Sequence, residues 1–280
     1  MKLKILGSGG GEGYPAVFCG CAHCNAARKA GGKNLRSLSQ AIVDGELLID
    51  LPADTHMHLL AGGINLGDVE NILVTHTHAD HYYPNILELR GGVFARELKY
   101  EKLNVYGNAD VKRLFDGVFS LFPIHETVRN NICFSQVEPY KKIRAGKYEV
   151  TPLRANHAPE QLSLNYIVED GKSALLYMLD SGFPTEETLG RIAAAKKVFG
   201  CVVMDGTMGE SAPGVYPYHM CFEENIRLKE YLMSAGAADG KTKFVTSHIT
   251  HNGAGLHEDI ERILSPHGIS VAYDGFEAEF

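Results

Sequence analysis

The 280-residue sequence predicts one α/β domain spanning 1–280. Three observations carry that expectation. Strand and helix signals intermix from end to end, no Pro/Ser-rich linker or shift in composition divides the chain, and 45% apolar residues suffice for a sizeable core. Two strand-rich halves, each followed by helices, also fit an internally duplicated sandwich.

The elements follow in order. KLKILG (2–7) reads as a short apolar strand closed by glycine, and GSGGGEGYP (7–15) as a turn-rich loop. That loop lacks the Lys-Ser/Thr pair of a phosphate-binding P-loop, and no clear helix follows it, so it reads as a loop beside a site. Between 37 and 51 two β-rich runs are joined by Asp44-Gly45, a strong hairpin signal, and Asp50 closes the second run. A helix over 53–62 leads to NILVT (71–75), an apolar strand that runs into His76. Further strands are predicted over 103–107, 132–139, 148–155, 162–170, 173–180, 197–205, 243–248 and 269–274, with a tight turn at GKS (171–173). Apolar residues at three- and four-residue steps predict helices over 84–90, 109–121, 185–196, 220–235 and 256–265.

The formal charge of -7 and the lack of a basic run argue against a protein that coats nucleic acid, which is not an expected partner. No stretch approaches the roughly 20 apolar residues of a membrane span. The apolar run in MKLKILGSGG is too short for a secretion signal, so a cytoplasmic protein with no membrane contact is expected. Of six cysteines, three sit in CGCAHC (19–24), unlike the evenly spread framework of a secreted scaffold. Metal binding is the leading reading for Cys19, Cys21 and Cys24.

The chemistry concentrates in THTHADH (75–81), where His76, His78, Asp80 and His81 fall within six positions directly after a strand. Alternate side chains of an extended backbone share a face, so His76 and His78 point the same way and Asp80 follows as the chain turns. Imidazole and carboxylate donors together suit zinc, manganese or iron. More distant partners stand at the ends of other predicted strands: His157, Asp180 and His248. With the loop they make seven ligands, the number two metals need if one carboxylate bridges them.

THTHADH resembles the H-x-H-x-D-H motif of the metallo-β-lactamase superfamily, and the order of motif, His157, Asp180 and His248 is similar to that superfamily's two-metal site. GSGGGEGYPAVFCGCAHC (7–24), LDSG (179–182) and SHITH (247–251) most resemble the accessory phosphodiesterases of the carbon-phosphorus lyase pathway, the phosphoribosyl cyclic phosphodiesterase family. The resemblance implies a four-layer αββα sandwich with metals at one edge. Position by position it implies His76, His78 and His157 on one ion, Asp80, His81 and His248 on the other, and Asp180 bridging. Either manganese or zinc suits these donors. The implied reaction is hydrolysis of a small or cyclic ribosyl or nucleotide-like phosphodiester by a metal-bridging hydroxide, with Asp80 among the catalytic residues. His219, ahead of a helix in PYHMCFEEN, is then the expected acid for the leaving alkoxide. Asp50 matches a position the superfamily keeps near its metals and is expected to hold a ligand histidine, with Asp205 in a similar role.

Three thiolates leave a tetrahedral zinc site one ligand short. His23 is tethered too closely to Cys24, and the resemblance implies His251 as the fourth ligand. A Cys-rich zinc-binding loop over 7–36 would thus be pinned to the turn that carries His248. His56 and His58 lie two apart in a predicted helix, where side chains do not face each other, and are read as surface or packing residues. Cys133, Cys201 and Cys221 are read as buried, inert thiols.

Two other functions share these motifs. Ribonuclease Z-like RNA processing fits less well, because no basic, glycine-rich insertion is present to grip tRNA. A pyrroloquinoline-quinone biosynthesis-type metalloprotein, with a carrier or oxygenase-like role, shares a similar cysteine cluster, but the full set of seven ligands favours a hydrolase. The substrate is expected to be chosen by loops at 91–101 and 121–131, and the assembly expected is a homodimer.

Overall fold

The computed structural model describes residues 1–62, 64–121 and 124–280. Strands β1 (Lys2–Gly7), β2 (Gln40–Val43), β3 (Leu47–Ile49), β4 (Asn71–Leu73), β5 (Leu103–Gly107) and β6 (Ile132–Gln136) lie side by side in the first sheet. The second sheet holds β7 (Ile143–Ala145), β8 (Tyr148–Arg154), β9 (Leu164–Glu169), β10 (Ala174–Met178), β11 (Cys201–Asp205), β12 (Lys243–Ser247) and β13 (Ile269–Val271), also in sequence order. The last strand, β14 (Glu277–Glu279), returns to pair with β1. The Asp44-Gly45 turn joins β2 to β3 as an antiparallel hairpin, both residues at positive φ.

Helices cover the outer faces, giving the four-layer αββα sandwich that the sequence predicted. They are α1 (Ala22–Ala30), α2 (Thr55–Gly62), α3 (Ala109–Leu121), α4 (Glu126–Asn131), α5 (Glu186–Ala194), α6 (Phe222–Ser234) and α7 (His257–Leu264). Three apolar clusters fill the three spaces between layers. Val105, Val111, Phe115 and Val118 pack the outer face of the first sheet, Ile49, Val168, Leu175 and Val203 lie between the sheets, and Leu176, Met204, Leu228 and Ile260 pack under the helices of the second. Strand β10 shows why: Leu175 and Tyr177 point between the sheets, Leu176 and Met178 point to the helices, and all five of its residues are buried. Burial on both faces turns the period-two pattern of a strand into an unbroken apolar run. Truncating a leucine in such a place costs about 2–5 kcal/mol.

Strand direction is what gathers the site. Strands β3 and β4 run parallel, with Ile49 opposite Leu73, so Asp50 and Thr75 leave the first sheet together. In the second sheet β10, β11 and β12 are parallel, with Asp205 opposite Ser247, while β8 reaches the same direction through two antiparallel pairings by way of β9. The C-terminal ends of these strands therefore release His157, Asp180, Asp205 and His248 at one edge, where open α/β sheets bind ligands.

Some expectations are corrected. The segment predicted as a helix over 84–90 is a 3₁₀ helix, Pro84–Leu89, opened by its proline. The strand expected from 197 begins only at Cys201. The loop expected over 7–36 contains α1. The 121–131 loop contains α4, and its residues 122 and 123 lie outside the described residues. Cys133 is half-exposed rather than buried, because β6 is the edge of its sheet, whereas Cys201 and Cys221 are buried as expected. No helix among the described residues is long and apolar enough to cross a membrane.

Candidate metal centre

Three of the strands, β3, β10 and β12, hand over to the site through a strained backbone position. Asp50, Asp180 and His248 have φ of 66°, 52° and 61°, a left-handed conformation that only a few non-glycine residues adopt. Strain of this kind gathers where surrounding structure fixes a functional geometry.

His76, His78, His157 and Asp180 form one group in which a single ligand atom from each residue lies within 4.8 Å of the others. His157 Nε2 stands 3.2 Å from His78 Nδ1 and 3.2 Å from Asp180 Oδ2, and His76 Nε2 stands 3.0 Å from the same oxygen. A second group joins Asp80, His81, His248 and again Asp180. Here His81 Nε2 is 3.2 Å from Asp80 Oδ2, from Asp180 Oδ2 and from His248 Nε2. Asp180 belongs to both groups, so the seven predicted residues are brought together in the predicted partition.

The histidines are oriented from behind. His81 Nδ1 donates to Asp50 Oδ2 at 2.7 Å, and Asp50 is fixed in turn by the Thr75 amide and hydroxyl. His157 Nδ1 donates to the Tyr218 carbonyl at 3.2 Å. His248 Nδ1 donates at 2.7 Å to the Thr207 hydroxyl, which donates to Asp205. With Nδ1 so engaged, each of the three presents an Nε2 lone pair inward, the arrangement a metal ligand needs. Asp50 thus lies where the sequence reading put it, whereas Asp205 reaches His248 through Thr207. The sequence reading missed both threonines, although Thr75 is part of the motif itself and Thr207 lies two residues past Asp205.

The donor set fits divalent cations. His76 Nε2 and Asp180 Oδ1 are buried at the centre of the cluster, and their near polar neighbours are other members of it, Asp180 Oδ2 at 3.0 Å and His219 Nδ1 at 3.1 Å. Ionisable groups crowded together away from water are paired or coordinate metals. Charge is correspondingly polarised. Burial pushes His76 down to about 3, whereas at His248 Asp180, Asp80 and Asp205 outweigh burial and raise it to about 9. Burial would raise the Asp180 carboxyl, but His248, His76 and His81 hold it well below the usual range. Asp80 is held low likewise, by His81 and His248 against burial.

His219 completes a third group with Asp180, Asp205 and His248. Its Nδ1 lies 3.2 Å from Asp205 Oδ2 and 3.1 Å from Asp180 Oδ1, and these two carboxylates raise its pKa against the effect of burial. The glycine-rich loop closes the other flank. A Cβ at Gly10 would meet Thr250 Cγ2 at 2.6 Å and His248 Cε1 at 3.2 Å, so that position requires glycine for close approach.

The cysteine cluster is a separate assembly. Cys19, Cys21, Cys24 and His251 come together, with His251 Nδ1 3.4 Å from Cys19 Sγ and 3.5 Å from Cys21 Sγ. Cys21 caps α1, accepting from the Cys24 amide; that amide, then His251, lowers its thiol to about 6, while burial raises Cys24 to about 11. His23 stands apart from the four, its Nδ1 3.3 Å from the His251 carbonyl oxygen. Glu12, which the sequence reading did not single out, lies 3.4 Å from His251 Nε2. His56 is exposed and His58 buried, the latter bonded to Ser37 and Gln40.

Residues 47–249 match the family described as the beta-lactamase superfamily domain, and the chain belongs to that family. It is a family of metallo-hydrolases, and divalent metal ions are implied for the His/Asp cluster. Among particular proteins, an octanoyltransferase of Porphyromonas gingivalis is 27% identical over 281 residues, covering 99% of this chain and 51% of that protein. The chain spans about half the length of the curated relatives it matches. In fold it is similar to a diphosphatase of the PhnP family (TM-score 0.75, 22% identity, 100% of this chain and 97% of that one). It is equally similar to zinc-bound PqqB from Methylobacterium extorquens (TM-score 0.75, 19% identity, 100% of both chains).

Proposed function

We propose that the protein is a two-metal phosphodiesterase acting on a small or cyclic phosphodiester, with manganese or zinc at the His/Asp cluster. The observation that carries this reading is Asp180, buried and shared by two groups of ligand atoms. His76, His78 and His157 would hold one ion, Asp80, His81 and His248 the other, and Asp180 both. Two cations held there supply an activated water and neutralise charge on the phosphoryl oxygens.

The remaining work falls to the chain's own residues. Asp50, Thr75, Thr207 and the Tyr218 carbonyl keep the imidazoles aligned. His219, steadied through Nδ1 by Asp205, has Nε2 left for proton delivery to the departing alkoxide. Cys19, Cys21, Cys24 and His251 would hold a third ion, a structural zinc, between the N-terminal segment and the turn after β12.

Protein loaded with manganese or zinc is expected to cleave bis-p-nitrophenyl phosphate. Absence of turnover with manganese, zinc, nickel and iron alike would contradict the reading and favour a carrier role.

A further inference from the structure

Four planar rings run in near-parallel succession from the buried site to the surface. His81 stacks on His248 (5.3 Å between centroids, 24° between planes), His248 on His219 (5.9 Å, 18°), and His219 on Tyr216 (5.5 Å, 19°). Exposure rises along the column, from 0% at His81 and 2% at His248 to 48% at Tyr216. Tyr216 therefore has one face against His219 while nearly half of the residue remains exposed beside the site.

Its backbone is not free to drift. The Pro217 carbonyl accepts from Asn156 Nδ2 at 3.1 Å, and the Tyr218 carbonyl accepts from His157. Gly182 packs so closely that a Cβ there would lie 1.9 Å from the Pro217 oxygen. The Tyr218 ring stands edge-on to Tyr216 at 5.7 Å, blocking one direction of ring movement. An exposed aromatic on a pinned backbone offers a contact face at little cost in conformational entropy. Shielding His219 would require only the inner face; it does not explain why nearly half of an aromatic residue beside the site stays exposed.

We propose that Tyr216 is the platform on which a planar heterocycle of the substrate stacks, so that the phosphodiester taken by the site carries a nucleobase. This rests on the phosphodiesterase reading above. The base would extend the ring column by one member, while the sugar spans past His219 to put the phosphate at Asp180. The edge of Tyr216 that bears the hydroxyl has no part in this contact, so phenylalanine should serve equally well.

The test is calorimetric titration of the purified metal-loaded protein with adenosine 5′-monophosphate and with ribose 5-phosphate, which differ only by the base. Tyr216→Ala should weaken the nucleotide by about tenfold, the scale of one base–aromatic stack, and leave the sugar phosphate nearly unchanged. Tyr216→Phe should restore the nucleotide affinity. Equal weakening of both ligands, or of neither, overturns the platform while leaving the phosphodiesterase reading intact. Failure of the unaltered protein to bind the nucleotide overturns the platform, and the phosphodiesterase reading falls only if that protein also fails to cleave bis-p-nitrophenyl phosphate.

Discussion

Asp180 carries more of the site than any other single residue, since each of the His/Asp groups lacks a member without it. His219 carries a different burden, because it touches the carboxylates and belongs to the ring column without being one of the seven residues that make up the two ligand groups. If it delivers the proton to the leaving group, His219→Ala should slow an alkyl diester by about 10²-fold or more while changing little with p-nitrophenolate, which needs no acid. Steady-state kinetics on the two substrates decide this; equal loss on both would mean that His219 only supports Asp205 and Asp180. At this scale much was legible. Four potential ligands within six positions cannot easily belong to anything but a metal site, and the distant three betrayed themselves by ending apolar runs. Thr207 and Glu12 did not, because a hydroxyl or carboxylate acting on another side chain leaves no spacing of its own in the sequence.

Among the elements that sequence reasoning missed, α1 shows what local pattern cannot carry. Its cap is Cys21 rather than serine, threonine or aspartate, and its nine residues bury only Cys24 and Ala27. A helix with so little apolar surface is held by its ends, and the end that matters here is the cysteine cluster. His251, three residues past His248 on the turn that follows β12, joins that cluster to the catalytic edge. His251→Ala should therefore release zinc from the cysteines more readily than loss of an outer partner would, by more than about 10–100-fold in a chelator competition. Unchanged affinity would show that three thiolates and another donor hold the ion. Short edge strands such as β7 and β14 escaped for a related reason: three residues of mixed burial hold no periodic signal.

Across the whole molecule, seven side chains from both sheets reach one edge only because the strands that carry them point the same way. Residue patterns showed where those strands end, but their directions follow from pairings between separate segments, such as Asp205 opposite Ser247, which no local window contains. The resemblance of THTHADH to a known motif supplied the layer order, and the family match over 47–249 agrees with it. A core in three apolar layers makes the frame rigid, and the ligand edge is where that rigidity is spent on left-handed backbone and crowded ionisable side chains. The most direct test of this account is anomalous diffraction from crystals of the protein soaked in manganese after purification with zinc. Two ions should appear on either side of Asp180, one against His76, His78 and His157 and the other against Asp80, His81 and His248, with zinc alone among Cys19, Cys21, Cys24 and His251. A single ion at the His/Asp cluster, or two that do not share Asp180, would contradict it.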